Sequence, residues 1–432
     1  MLADDYIKLF IEEFKAKNDI IRKYFDNERI SARGLINIIK DVVRNLWRPI
    51  TSEELGDKTA IISCDSSFIG NIYYSGKALF IIRALAISNV DLISRKFKLE
   101  FDYSSNTHIL FNVMEALAEE LEYECILDII RKLNVKTLVI IDGSLYARLS
   151  KPLKPVRNIE RNRLAYVKSL LKFVELYQEV KRKDGIIVSI SKDTLMDHYK
   201  LYILNLILSD IMGVEVKYPV TRDKIISMLR SLHTSKASYK EILEYCLKLM
   251  SKSINDISII HSCNLNQGFL TPIMLGCMVR ETLRNYRLIE LKGCFSYFKD
   301  FISSGEEKTL NANIFLKAYL TLKNMPPIIL TYLIPPARDS PLRIEILDPN
   351  LHSKHNTFLR LKGIIPCMSY VDKLKPILYV LSKCYVSPKV YNLWLYLAHK
   401  NVKITVEEYK VYEEYLKKSG LNLSPRRRIK IG

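Results

Sequence analysis

The sequence predicts an α/β fold with a mixed central sheet flanked by helices. Three strand-like segments at 59–65, 78–88 and 97–103 are joined by short turns, an order typical of an antiparallel meander. A long helical pattern then covers 107–133, and a short aliphatic run at 136–141 predicts a further strand. We therefore expect the helix to cross the sheet, so that the strand after it lies beside the first strand.

Apolar spacing and turn residues justify these assignments. Residues 3–46 carry apolar side chains at helical spacing, and Gly70 and Gly76 predict the first turn of the meander. The crossover helix has a continuous apolar stripe of Leu110, Val113 or Met114, Leu117, Leu121, Ile126, Ile129 and Leu133. Three meandering strands, a crossover helix and a strand that carries an acidic residue form the layout of a ribonuclease-H-like core.

The rest of the chain predicts further helices and strands around this core. We expect helices at 158–181, 370–383, 388–400 and 405–418, strands at 186–190, 312–321, 328–334 and 341–347, and a basic tail at 424–432. Residues 195–310 form a mostly helical stretch with few turn residues. The domain prediction is a helical segment at 1–50, a first core part at 51–194, a helical insertion at 195–310, a second core part at 311–405, and a terminal helix and tail at 406–432.

Composition favours a globular protein with a polyanionic partner. The 432 residues are 48% hydrophobic and include 66 Lys and Arg against 47 Asp and Glu, which gives a net charge of +19. The 26 tyrosines can stack on bases, so we favour nucleic acid over a membrane surface. The longest apolar runs, such as Leu201–Leu208, are too short to span a bilayer. The 8 cysteines form no C-x-x-C pair, which argues against structural zinc and fits a reducing cytoplasm.

Two aspartates end separate aliphatic runs, and they are the strongest chemical feature of the sequence. Asp65 closes the first predicted strand, and Asp142 closes the strand after the crossover helix. If these strands are neighbours, their carboxylates meet at one sheet edge, an arrangement that suits hard cations such as Mn²⁺ or Mg²⁺. Gly143 permits a sharp exit from the strand. Three serines can orient the carboxylates: Ser66, Ser67 and Ser144.

A third carboxylate is expected from the crossover helix. The candidates are Glu115, Glu119, Glu120, Glu122 and Glu124. We choose Glu122, because it follows Leu121 and precedes a cysteine–aliphatic stretch that is typical of the buried side. Glu119 is the second choice.

Four further residues are explained by ordinary structural roles when each is considered alone. His399, late on an apolar helix, is more often a satisfied core residue than a ligand. Lys192 after a strand is more often a surface lysine. Arg343 and Glu345 point to the same side of a strand, which predicts a surface pair.

These residues together resemble the NurA nucleases of archaea and some bacteria. The resemblance rests on Asp-Ser-Ser at 65–67, Leu-Glu at 121–122 and Asp-Gly-Ser-Leu at 142–145, followed by Ile-Ser-Lys at 190–192, Arg-x-Glu at 343–345 and Ala-His-Lys at 398–400. It extends from about residue 59 to 405. The first motif reads Cys-Asp-Ser-Ser where the family has Asp-Gly-Ser, and the segment before the histidine helix reads Val386–Tyr391 where a Gly-Tyr-Pro lead-in is expected.

The resemblance implies a ribonuclease-H-like, homodimeric deoxyribonuclease that uses Mn²⁺ or Mg²⁺ and works with a HerA-type hexameric ATPase in DNA end resection and repair. It implies metal ligation by Asp65, Glu122 and Asp142. His399 would be a fourth ligand or a proton-transfer group, and Lys192 would face the scissile phosphate. The supporting residues would be Ser67, Ser144, Arg343 and Glu345.

Two rival functions have testable sequence requirements. An aspartate-nucleophile phosphatase needs Asp-x-Asp after its first strand, and neither Asp65-Ser-Ser67 nor Asp142-Gly-Ser144 supplies the second acid. A catalytically inactive DNA-binding or ATPase-adaptor paralogue is compatible with the charge. The sequence contains no Gly-x-x-x-x-Gly-Lys-Ser/Thr loop, so the chain does not resemble the motor itself. Its scarcity of glutamine, present at Gln178 and Gln267, favours a heat-adapted source.

Overall fold

The computed structural model describes most of the chain and divides it into two units. It describes residues 2–26, 33–56, 58–73, 77–103, 107–150, 160–192, 194–235, 240–250, 254–279, 316, 319–336, 339–351, 357–420 and 425–431. One unit comprises Met1–Trp47 and Thr194–Leu265. The other comprises Arg48–Asp193 and Asn266–Gly432 and contains all the candidate site residues.

Helices and strands alternate in the larger unit, whereas the smaller unit is helical in its described part. The described helices are α1 (Leu2–Asp26), α2 (Arg33–Leu46), α3 (Thr107–Ile130), α4 (Leu145–Ser150), α5 (Glu160–Arg182), α6 (His198–Met212), α7 (Arg222–Ser235), α8 (Lys240–Leu249), α9 (Asp256–Ser262), α10 (Val371–Lys383), α11 (Leu393–Val402) and α12 (Val406–Lys418). The described strands are β1 (Trp47–Arg48), β2 (Ala60–Tyr73), β3 (Lys77–Ser88), β4 (Ile93–Tyr103), β5 (Thr137–Asp142), β6 (Ile186–Ser191), β7 (Gly268–Leu270), β8 (Ile273–Leu275), β9 (Ile328–Ile334), β10 (Leu342–Leu347), β11 (Ile364–Pro366) and β12 (Pro425–Ile431).

The central sheet has the strand order that the sequence predicts. Strands β2, β3 and β4 form an antiparallel meander, and β5 lies parallel to β2 after the crossover helix α3. Strand β6 pairs parallel with β5, and β10 and β9 continue the sheet antiparallel. The strand order β9-β10-β6-β5-β2-β3-β4 is therefore a mixed sheet. Its strands β2, β3, β4, β5 and β6 form the predicted ribonuclease-H-like core.

Helix α3 is buried on two sides, because it lies between the sheet and helix α5. Its predicted apolar stripe is buried, and so are Tyr123 and Ala116 outside that stripe. An apolar stripe on α5, including Leu170, Phe173 and Val174, is buried as well. This double burial explains why a glutamate of α3 can be enclosed in the protein.

Several element predictions were wrong in extent or type. The first strand continues to Tyr73, and Gly70 lies within it rather than in a turn. A Cβ at Gly70 would come within 2.3 Å of the Phe80 ring, so close packing of β2 on β3 requires glycine there. Gly76 lies outside the described residues.

The later part of the chain also departs from its prediction. The mostly helical stretch 195–310 contains strands β7 and β8, and residues 280–310 lie outside the described residues. In the predicted strand 312–321, the described residues 316 and 319–321 are helical. The predicted basic tail forms strand β12, which pairs antiparallel with β2 between Phe68 and Tyr73.

In the smaller unit, a buried carboxylate links the start of α9 to the start of α6. Asp256 accepts hydrogen bonds from the backbone N–H groups of Tyr199 and Lys200 at 3.0 and 2.8 Å, which anchors the first turn of α6. The helical spacing predicted for the N-terminus is confirmed in α1. Its apolar residues Phe10 and Phe14, however, are exposed.

Candidate active site

Strand pairing brings Asp65 and Asp142 to equivalent positions. In the parallel ladder, Cys64 of β2 is paired with Ile141 of β5, and each aspartate is the next residue along its strand. Neighbouring strands are about 4.8 Å apart, so the two backbones that carry the carboxylates are adjacent. The sequence predicts that Asp65 is the last residue of its strand, but β2 continues to Tyr73. Asp65 does, however, follow Cys64, the last residue of β2 that is paired with β5.

A tight turn after Asp142 connects β5 to the short helix α4. Gly143 has a φ of +86°, a conformation that favours glycine, as predicted. Its N–H donates to Oδ1 of Asp142 at 2.8 Å. The hydroxyl of Tyr391, a residue 249 positions later in the chain, donates to the same oxygen at 2.7 Å. Burial raises the pKa of Asp142, and the negative charge of Asp65 adds to the increase, although the Tyr391 hydrogen bond opposes it.

Glu122 is the buried glutamate of α3, as predicted, with 4% of its surface exposed. Its Oε1 accepts a hydrogen bond from the Ser66 hydroxyl at 2.5 Å, and its Oε2 accepts one from Nη1 of Arg148 at 2.6 Å. Burial raises its pKa to about 7 against the opposing charge of Arg148, and Asp65 adds to the increase. Glu122 therefore lies within electrostatic reach of Asp65.

Arg148 is a residue of the site that the sequence prediction missed. It lies on α4, one turn after Gly143, with 12% of its side chain exposed. Besides Glu122, its Nη2 donates to the backbone oxygen of Asp142 at 2.9 Å. Its Nε lies 3.8 Å from Oε1 of Glu119, the second-choice glutamate. Arg148 therefore connects the α3 glutamates to the turn that carries Asp142.

His399 contacts Asp65 directly. Its Nδ1 lies 2.7 Å from Oδ2 of Asp65, across a separation of 334 positions in the chain. The side chain is 46% exposed, which contradicts the expectation of a core histidine. The hydrogen bond to Asp65 raises the pKa of His399, and the charges of Asp65 and Asp142 raise it further, against partial burial.

The strand alternation sorts these residues onto two faces of the sheet. Neighbouring residues of a strand point to opposite faces. Ser66 contacts α3 through Glu122, whereas Asp65 contacts α11 through His399. The sequence predicts that three serines orient Asp65 and Asp142, but the Ser66 hydroxyl bonds Glu122 and the Ser144 hydroxyl bonds Glu345. Ser67 instead accepts a hydrogen bond from the Ile404 N–H at 3.3 Å.

Lys192 and Tyr391 form a second contact at the Asp142 end of the sheet. The Lys192 ammonium lies 5.2 Å from the centroid of the Tyr391 ring, within the range of a cation–π contact. Lys192 is exposed at the end of β6, as the sequence alone predicts. Because Tyr391 bonds Asp142, this places one exposed positive charge next to the acidic turn.

Arg343 and Glu345 are both fully buried, so the predicted surface pair was wrong. Nε of Arg343 donates to Oε1 of Glu345 at 2.6 Å. Glu345 also accepts hydrogen bonds from the Ser144 hydroxyl, 3.0 Å from both oxygens, and from the Tyr146 N–H at 2.8 Å. The Ser189 hydroxyl adds a third at 3.4 Å. This pair therefore fixes the start of α4, directly after Asp142.

The donor set suits a hard divalent cation, although the side chains are not arranged around one. Three carboxylates and one imidazole come from β2, α3, β5 and α11, and oxygen-rich sets of this kind favour Mg²⁺ or Mn²⁺. Each carboxylate is engaged by a protein donor: Asp65 by His399, Asp142 by Tyr391 and Glu122 by Arg148. In the part of the chain that the structure describes, no group of three or more His, Cys, Asp or Glu residues is positioned to hold a metal.

The positive charges of α5 are partly neutralised. Nζ of Lys172 lies 3.0 Å from Glu175 and 3.7 Å from Glu124, and Arg182 pairs with Glu179. These contacts reduce the number of α5 side chains that can bind a polyanion. Among the described helices, none is long and apolar enough to cross a membrane.

Comparison with known proteins yields a structural likeness but no sequence match. No protein-family model matches the chain, and no curated protein does either. The crystal structure of the NurA nuclease from Sulfolobus solfataricus aligns with a TM-score of 0.55 and 12% identity, covering 97% of this chain and 99% of that chain. The chain has the NurA fold.

Two further NurA crystal structures align more loosely. One, with manganese, has a TM-score of 0.38 and 15% identity, and the alignment covers 93% of this chain and 100% of that chain. The other, bound to dAMP and manganese, has a TM-score of 0.37 and 14% identity over 98% of each chain. The likeness to the Sulfolobus structure, which covers almost the full length of both chains, agrees with the motif resemblance in the sequence.

Proposed function

We propose that this chain is a metal-dependent nuclease of the NurA type that hydrolyses DNA phosphodiesters. The observation that carries the proposal is the placement of Asp65 and Asp142 at adjacent positions of two paired strands on a NurA fold, with His399 bonded to Asp65 and Glu122 within electrostatic reach of Asp65. The +19 net charge supports a polyanionic substrate. Asp65, Asp142 and Glu122 would hold Mn²⁺ or Mg²⁺.

The protein groups have separate roles in this mechanism. Cations held by Asp65, Asp142 and Glu122 would supply activation of an attacking water and stabilisation of the leaving oxygen. Tyr391 and the Gly143 N–H fix the direction of the Asp142 carboxylate through their bonds to Oδ1. Lys192, exposed beside Tyr391, is placed to attract the substrate phosphate.

We assign proton transfer to His399. Its Nδ1 is engaged by the Asp65 carboxylate at 2.7 Å, so that nitrogen is occupied while Asp65 orients the ring. With nearly half of its side chain exposed, the ring can reach solvent and substrate oxygens.

We further propose that the chain acts as a cytoplasmic homodimer together with a HerA-type hexameric ATPase in DNA end resection and repair. This part rests on the motif resemblance.

The test compares purified variants on labelled linear DNA with Mn²⁺, Mg²⁺ or a chelator. We expect Asp65→Ala and Asp142→Ala to lower cleavage by about 10³-fold or more and to retain DNA binding. Asp372→Ala is the matched control, because Asp372 is exposed and pairs with Lys375 on the surface of α10. Wild-type rates in either site variant would refute the site assignment.

One observation favours an inactive, DNA-binding alternative. Arg148 already neutralises Glu122, and a permanent ion pair there would block one of the three carboxylates. In that case the wild-type chain would bind DNA without metal-stimulated cleavage, so the same assay separates the two functions.

A further inference from the structure

Glu122 is held through both of its carboxylate oxygens, by two different kinds of donor. Ser66 is a short side chain on β2 and binds Oε1 at 2.5 Å. Arg148 is a long, charged side chain and binds Oε2 at 2.6 Å. A divalent cation that coordinates Oε2 must replace a guanidinium at that oxygen, because two cations at one carboxylate oxygen repel each other.

Arg148 has other acceptors that keep it in place when it leaves Glu122. Its Nη2 donates to the Asp142 backbone oxygen at 2.9 Å, and its Nη1 lies 3.2 Å from the Tyr123 hydroxyl. Its guanidinium carbon also lies 5.7 Å from the centroid of the Tyr123 ring. These contacts anchor the side chain independently of Glu122.

A second carboxylate lies within ion-pair distance of Arg148. Oε1 of Glu119 lies 3.8 Å from Nε of Arg148, farther than a hydrogen bond but within an ion-pair distance. Arg148 and Glu119 line the same small pocket, together with Tyr166 and Ser169. A small rotation of the guanidinium into this pocket would shorten the Glu119 contact and lengthen the Glu122 contact.

We propose that Arg148 is a positioning residue that holds Glu122 ready for metal binding and then exchanges Glu122 for Glu119 as its partner. The proposal rests on the metal-dependent function proposed above. Arg148 supplies the neutralising charge that a buried glutamate needs, and it gives up Oε2 to the incoming cation. Glu119 is then the partner of the displaced arginine, not a metal ligand.

The first test measures Mn²⁺ affinity without DNA, by electron paramagnetic resonance at pH 8. We expect Arg148→Met to bind Mn²⁺ about tenfold more tightly than the wild type, because one competing unit charge is removed. Arg148→Lys retains the charge and should bind Mn²⁺ like the wild type. Arg131→Met is the matched control, because it removes an exposed arginine that pairs with Glu175 on the surface.

Equal or weaker Mn²⁺ affinity in folded Arg148→Met would overturn the proposal. The variant Asp142→Asn distinguishes failure of the proposed Arg148 exchange from failure of the proposed metal-dependent function. If Asp142→Asn loses Mn²⁺ binding while Arg148→Met is unchanged, the metal site stands and the exchange is wrong. If the wild type binds no Mn²⁺, the proposed function itself fails.

The second test is a double-mutant cycle with Glu119. We expect Glu119→Gln to weaken Mn²⁺ binding about threefold, the fold-change corresponding to a weak ion pair of under 1 kcal/mol. In the Arg148→Met background, Glu119→Gln should have no effect. An equal loss in both backgrounds would show that Glu119 ligates the metal and would overturn the exchange.

A third measurement needs no variant, so it remains decisive if Arg148→Met does not fold. Crystals of the wild-type chain are compared before and after a Mn²⁺ soak. We expect the Arg148–Glu122 contact of 2.6 Å to open and the Arg148–Glu119 contact of 3.8 Å to close in the soaked crystal. An unchanged ion pair beside bound Mn²⁺ would overturn the proposal.

Discussion

Two buried arginine–glutamate pairs contact the Asp142 turn, and they differ in how the glutamate is held. Glu345 accepts hydrogen bonds from a serine hydroxyl, a backbone N–H and Arg343, and both charged residues are fully buried. Glu122 accepts one bond from Ser66 and one from Arg148, and its pair retains some exposure, 12% for Arg148 and 5% for Glu122.

The difference shows how one protein can use the same pair of residue types for two purposes. A glutamate that is fixed by backbone and short side chains cannot release its oxygens without loss of the local structure. A glutamate whose second oxygen is held by a long side chain can exchange that partner. Glu345 therefore holds the Asp142 turn, whereas Glu122 is available for the chemistry.

The largest predicted effect is on the interior pair. Glu345→Gln preserves the shape of the side chain but leaves Arg343 as a buried charge without its acidic partner. We expect the free energy of unfolding to fall by about 3–5 kcal/mol, measured by urea denaturation. Cleavage per folded molecule should fall less than when Glu122 is changed, because Glu345 fixes the turn after Asp142 but is not among the residues that we propose to touch the metal.

The matching change at Glu122 should affect cleavage more than stability. Glu122→Gln leaves Arg148 with the Asp142 backbone oxygen and Glu119 as partners, so we expect a smaller stability loss than in Glu345→Gln, about 1–3 kcal/mol. Cleavage should fall strongly, because an amide is a poor ligand for a hard cation. If Glu345→Gln lost cleavage while its stability was unchanged, the contrast between the two pairs would be wrong.

The next effect is the dependence of stability on pH, measured without added metal. The pKa of Glu122 is about 7 in the folded protein and near its ordinary value of 4.5 in the unfolded chain. The folded state therefore binds more protons between pH 4.5 and 7, and its stability falls as the pH rises through that window. We expect this contribution to be about 3 kcal/mol.

A second pH window belongs to His399. Its pKa is raised in the folded protein, so the stabilising contact with Asp65 is fully present below pH 6.5 and is lost as the pH rises through the folded-state pKa. The free energy of unfolding is measured against pH for each protein. Subtracting the Glu122→Gln profile from the wild-type profile isolates the contribution of Glu122, and subtracting the His399→Gln profile isolates that of His399. A flat difference profile for Glu122→Gln would show that Arg148 keeps Glu122 ionised throughout.

The sequence contains enough information to predict the scaffold of the site. The order of three strands, a helix and a fourth strand requires β2 and β5 to be neighbours, so the pairing of the Asp65 and Asp142 positions follows from local patterns. The burial of Glu122 follows from its place next to Leu121 on a helix that is covered on two sides. Both predictions depend on periodicity, which a single sequence displays.

The partners of the carboxylates could not be predicted in the same way. Tyr391 and Asp142 are 249 positions apart, and no local pattern distinguishes this tyrosine from others in the sequence. Arg148 acquires its role because the positive φ of Gly143 turns the chain into α4. For Arg343 and Glu345, alternation suggested an exposed face, because the sequence does not show that β10 is covered on both faces.

The smallest predicted effect concerns Tyr391, which bonds Asp142, the residue whose turn both arginine–glutamate pairs contact. Tyr391→Phe removes one hydrogen bond to Oδ1 of Asp142 but keeps the aromatic ring beneath Lys192. We expect a loss of about 1 kcal/mol in Mn²⁺ binding free energy, close to fivefold in affinity, because the carboxylate is less well oriented. Tyr385→Phe is the matched control, because its hydroxyl bonds Asp339, which is not among the proposed metal ligands. If Tyr391→Phe and Tyr385→Phe bound Mn²⁺ equally well, the Gly143 N–H alone would suffice to orient Asp142, without a contribution from Tyr391.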